Sequence, residues 1–191
     1  MTGAATMDAI QAEADTRRWL ERAVIGLNLC PFAKAVHVKA QIHYAVYLPA
    51  DHGALIDALL EQADELAALD ASVRDTTLLI APNTLADFLD FNDFTARAER
   101  KLARAGFDGV FQLASFHPQF QFAGTESGDI TNATNRAPYP TLHLLREDSV
   151  SRAVEAFSEA EAIFERNIDT LEALGPDGWA ALDVGPGGAR S

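Results

Sequence analysis

Apolar positions recur every three or four residues from Asp15 to Leu29, so Trp19, Leu20, Ala23, Val24 and Leu27 share one side of a predicted helix that ends at Asn28. The rhythm then changes. In QIHYAVYL, residues 41–48, every second position (Ile42, Tyr44, Val46, Leu48) falls on one side, the mark of a half-buried strand, and residues 35–39 are a candidate short partner strand. Residues 52–69 return to helical spacing, with Leu55, Leu59, Leu66 and Leu69 toward the core, and TTLLIAP follows as the continuous apolar run of a central strand. Thr84 and Asp87 resemble the capping pair of a helix that reaches Ala105 and stops at Gly106, with Phe88, Leu89, Phe91 and Phe94 as its core residues. GVFQLASF and TLHLLR read as the third and fourth strands, and residues 149–174 as one or two closing helices halted at Gly175-Pro176.

Alternation at this spacing predicts an α/β (or α+β) fold: a small mixed sheet of about four strands, the first three expected to be parallel and adjacent, flanked by helices. Residues 1–184 form the expected single domain, with flexibility allowed for 1–14, and residues 185–191 are expected to be a disordered tail. A chain of 191 residues buries roughly 70% of its unfolded surface, enough to fold without disulfides or a structural metal.

A net charge of -13 disfavours a nucleic-acid or membrane partner, because both present negative charge. No basic, apolar leader opens the chain and no apolar run is long enough for a membrane helix, so a cytoplasmic location is expected, and the one cysteine agrees with a reducing compartment. Charge is unevenly spread. Residues 51–70 carry six acids and no Lys or Arg, which reads as a solvated helix face, whereas residues 22–50 contain no acid. That acid-free stretch holds Cys30.

Cys30 precedes Pro31 at the start of PFAKA, where backbone N–H groups of a turn or short helix and the nearby Lys34 would favour thiolate. The competing reading is a small buried hydrophobe. A second concentration of chemistry lies in the long connection between the third and fourth strands, residues 117–140, whose aromatics argue for a packed rather than a disordered loop. His117 sits at the carboxyl end of a strand, where ligands bind in open α/β sheets, and reads either as a packing residue or as an acid, base or ligand. Asn132, Thr134, Asn135 and Arg136 supply the donors of an anion clamp, and Tyr139 is framed by Pro138 and Pro140 as a pocket wall. His143 reads first as a buried strand histidine.

Three motifs in order, LNLCPFAK, FHPQFQF and TNRAPYPTLHLLRE, resemble domain-of-unknown-function family 1415, over nearly the whole chain. The resemblance implies a small bacterial protein with its signature at Cys30, His117, Asn135, Arg136, Tyr139 and His143; it implies no reaction. No motif indicates a cofactor. The leading expectation is a thiol-dependent enzyme acting on a small anionic molecule, with Cys30, His117 and Tyr139 catalytic and Asn132, Thr134, Asn135, Arg136 and Lys34 binding substrate. The alternatives are a metal- or haem-binding protein using Cys30, His117 and His143, and a non-catalytic interaction protein.

Overall fold

The computed structural model describes residues 8–157 and 162–188. Asp8 caps α1 (Ala9–Trp19) by accepting the Ile10 N–H, and the helix runs on through a wider π-helical turn at Leu20–Ile25. Asn28, with φ of 54°, then turns the chain in the left-handed conformation that asparagine tolerates. Next comes α2 (Ala33–Val38), where a partner strand at 35–39 was a candidate. The stretch is too alanine-rich and too little β-branched to hold an edge on its own.

The remaining elements are β1 (Ile42–Val46), α3 (Leu55–Ala68), β2 (Thr76–Ile80), α4 (Phe88–Leu102), β3 (Phe111–Phe116), β4 (Thr141–Arg146), α5 (Glu147–Ala156) and α6 (Ile163–Ala181). The cap of α4 is Asp87, which accepts the N–H groups of Leu89 and Asp90, so the helix begins later than the Thr84 reading placed it. Leu89 points to solvent, while Phe91 and Phe94 are buried. Gly175, with φ of 70° and ψ of 173°, breaks the helical run where the sequence placed its stop, and the residues to Ala181 form a further short helical stretch whose first turn can spare the N–H that Pro176 lacks. Residues 185–188 are not loose: Arg18 donates to the Gly185 carbonyl and the Gly187 N–H donates to Asp15.

The four-stranded mixed sheet has the order β1-β2-β4-β3. β1 and β2 pair in parallel, while β4 pairs antiparallel with both β2 and β3. The first three strands therefore run in one direction as expected, but they are not side by side, and two of the three pairings are antiparallel. Every residue of β2 is buried, as its unbroken apolar run requires, because it has a neighbour on each edge and helices on each face.

Period-two alternation divides the side chains between two layers. Leu79, Leu113, Leu142 and Leu144 face α3 and α4, which contribute Leu55, Leu59, Ala63, Leu66, Phe91, Phe94, Ala98 and Leu102. Tyr44, Leu78, Ile80 and Phe116 face the other way, toward Ala12, Trp19, Leu20, Ala23 and Val24 of the first helix and Val184 near the C-terminus. Arg146 anchors β4 to the end of α3: its Nη2 donates to the carbonyls of Leu66 and Leu69, each at 2.6 Å, and of Arg74 at 3.0 Å. The guanidinium thus joins the last turn of α3 to the segment that leads into β2. Arg146→Met should lower stability by about 2–3 kcal/mol, the range for charge-assisted bonds lost from a half-buried site, read as a lower urea midpoint at unchanged slope.

Candidate functional site

A cavity of about 480 Å³, partly open to solvent, lies between the sheet and the helices α1, α2 and α5. Its walls are mainly apolar, among them Leu20, Val24, Phe32, Ile42, Phe116 and Val150. Neither α2 nor α5 has a buried residue. Their apolar sides, Ala33 and Val36 on one and Val150 and Ala153 on the other, line this space, and Ala33 also packs against the core around Trp19. Phe32 meets Phe157 edge to face with ring centroids 5.8 Å apart, which links the entry of α2 to the end of α5. The space is partly open to solvent, and its size and mainly apolar lining are those of small-molecule pockets.

Cys30 lines this cavity half-buried, and its carbonyl accepts the Ala33 N–H at 3.2 Å. Burial raises its pKa above the ordinary thiol value, and the nearby Phe32 and Ala33 N–H groups only moderate the rise. The expected thiolate is therefore replaced by a protonated thiol. Lys34 does not reverse this, because it points outward on α2 and does not line the cavity.

His143 lines the same cavity from the middle of the sheet. Its Nε2 bonds Thr76 Oγ1, and that oxygen also lies 2.6 Å from the Leu144 carbonyl oxygen. Two oxygens this close need a proton between them, and Thr76 has only one to give. Thr76 thus donates to Leu144 and accepts from Nε2–H, which leaves Nδ1 as the bare, accepting nitrogen. Burial pushes the His143 pKa down to about 4, so the ring is neutral at pH 7.

A family model covers residues 11–181, a span that includes all four strands and the whole cavity lining. The chain belongs to that family, "Protein of unknown function (DUF1415)". No curated protein matches the chain, and no solved structure does. Of the six residues singled out in the sequence motifs, Cys30 and His143 both line the cavity, and His117, Asn135, Arg136 and Tyr139 do not.

His117 is fully buried on the opposite side of the sheet, against Phe88 and Phe91. Its Nε2–H donates to the Leu85 carbonyl at 2.9 Å, and its Nδ1 accepts the Gln119 N–H at 3.0 Å. With both nitrogens occupied it has no lone pair for a metal and no proton to exchange, so neither the catalytic role nor the Cys30, His117 and His143 ligand set fits this arrangement. Among the described residues no group of three or more His, Cys, Asp or Glu could hold a metal ion.

The clamp residues hold the long connection together. Asn132, in a 3-10 turn at Ile130–Asn135, accepts from the Phe122 N–H and the Thr125 hydroxyl and donates to the Glu126 carbonyl. Thr134 is half-buried in that turn, and Asn135 donates to the Ser115 carbonyl. Arg136 donates to the carbonyls of Phe120 and Ser127 and faces a separate depression beside Asp87 and Phe88, away from Cys30. Tyr139 is buried and donates to Asp15 Oδ2 at 2.6 Å; burial and that carboxylate raise its pKa well above the ordinary phenol value, which removes it as an acid or base near neutrality. What sequence reasoning missed is Thr76, because its role depends on which strand lies beside β2.

Asp15 joins distant parts of the chain. Fully buried, it accepts from Tyr139, from Gln11 and Arg18, each at 2.8 Å, and from the Gly187 N–H. Burial alone would raise its pKa, but these four bonds outweigh it and hold the carboxyl below its ordinary value. A depressed folded-state pKa stabilises above the unfolded value of ~3.9, and that stabilisation fades as pH falls through the folded value. Asp15→Asn should therefore destabilise more at pH 7 than at pH 3, and Tyr139→Phe should cost about 1 kcal/mol at pH 7, both read from urea midpoints.

Proposed function

We propose that the cavity is the functional site and that the protein is a thiol-dependent enzyme in which Cys30 attacks a small molecule held there. One observation carries this reading: the only cysteine of the chain lines, together with His143, a cavity in the size range of small-molecule sites, mainly apolar with few polar groups. A protonated thiol at this position can add to an electrophilic double bond. The sulfur bonds to carbon, the S–H bond breaks, and the proton passes to the acceptor end of that double bond, so the step is neutral overall. The nearby Phe32 and Ala33 N–H groups, which act to lower the thiol pKa, favour the negative charge that builds on sulfur as the proton leaves.

The raised thiol pKa favours a second reading, binding of the small molecule without covalent chemistry. The two separate on N-ethylmaleimide, a small uncharged electrophile that adds a thiol across its double bond. At pH 7 the observed rate of adduct formation should level off with increasing maleimide, because binding in the cavity precedes chemistry, and Cys30→Ser should form no adduct. A strictly linear dependence at the rate of a free thiol would remove the enzyme reading. Absence of any adduct in a protein that still binds small aromatic molecules would favour the second.

A further inference from the structure

The polar groups on the cavity wall are mostly spent. Asp75 accepts from the Ser149 hydroxyl at 2.6 Å, and Ser149 accepts from Arg152. Arg146 uses Nε and Nη2 on backbone carbonyls and lies 4.0 Å from the Asp75 carboxylate, so the two charges offset each other. Gln112 donates to Glu147, and the one proton of Thr76 goes to the Leu144 carbonyl. Among the lining residues, the Trp19 indole N–H and His143 Nδ1 make no hydrogen bond to a described residue.

Nδ1 is the informative one. It makes no hydrogen bond to a described residue, and His143 stands in the middle of a four-stranded sheet on the face that lines the cavity. Because Thr76 holds Nε2 as the protonated nitrogen, Nδ1 can only accept. Rotating the Thr76 hydroxyl to reverse this would break the Leu144 bond and leave a buried carbonyl facing a bare oxygen.

We infer that this site takes an uncharged, mainly apolar molecule carrying a hydrogen-bond donor, such as a hydroxyl, which His143 Nδ1 accepts, and that Thr76 is the positioning residue that fixes the tautomer for this purpose. The inference rests on the cavity being the functional site, and it replaces the anionic ligand expected from the TNATNR donors, which lie elsewhere. A carboxylate would meet a lone pair at Nδ1 and an Arg146 already beside Asp75. A hydroxyl satisfies Nδ1 and brings no charge into the mainly apolar cavity.

The test uses phenol, anisole and benzoate as probes of similar size: one donates, one only accepts and one is anionic. Binding is followed by chemical-shift titration of the full chain at pH 7. Phenol should bind about three- to tenfold more tightly than anisole, the worth of one hydrogen bond, and benzoate should bind most weakly. The gap should close in His143→Phe and shrink in Thr76→Val, and Thr76→Ser should restore it. Equal binding of phenol and anisole would overturn the donor inference while leaving the cavity reading intact; tightest binding of benzoate would overturn it in favour of an anion at Arg146. No binding of any probe would remove both. The wild-type protein supplies a check independent of folding variants: a long-range ¹H–¹⁵N spectrum should show His143 protonated at Nε2 and bare at Nδ1 from pH 5 to 8, and the reverse tautomer would overturn the assignment.

Discussion

Strand β4 enters the slot between β2 and β3 because the connection at 117–140 is long enough to turn back and lie antiparallel to both. Once it is there, period-two alternation leaves no choice about its side chains. Leu142 and Leu144 must fill the layer under α3 and α4, and His143 and Leu145 must face the other way. A slip of one residue would bury His143 among leucines and expose Leu144 to the cavity. Arg146 opposes such a slip, since its guanidinium reaches the end of α3 only in this register.

The elements were legible in the sequence because helices and strands write local periods, and the strong ones, α3, α4 and β2, were read nearly to their ends. The strand order was not legible. Pairing of β2 with β4 joins residues far apart, and nothing local distinguishes it from pairing of β2 with β3. Cys30 and His143 were both visible as candidates, yet their shared cavity depends on that same pairing. The donor-rich run at 132–136 misled for a related reason. A sequence shows donors, but not the backbone carbonyls of Phe120, Glu126 and Ser127 that already occupy them.

The two layers differ in how they use polar groups. Beneath α3 and α4 lies a leucine and phenylalanine core, and His117 is satisfied at both nitrogens at its edge. On the other face the hydrophobic residues are divided between a true core, around Trp19, Tyr44 and Ile80, and the walls of a cavity. The short helices α2 and α5 are held by their ends and by one aromatic pair, not by a buried seam.

Asp15 receives its last hydrogen bond from Gly187, and Val184 completes the core beneath the first helix. The partners are separated by 172 positions, so the buried carboxylate of the first helix is satisfied by a contact between segments far apart in the chain. The layer beneath α3 and α4 is closed by two helices that are near neighbours in sequence. Loss of residues 184–188 would take from the first helix both the Gly187 donor of Asp15 and the Val184 side chain beneath it.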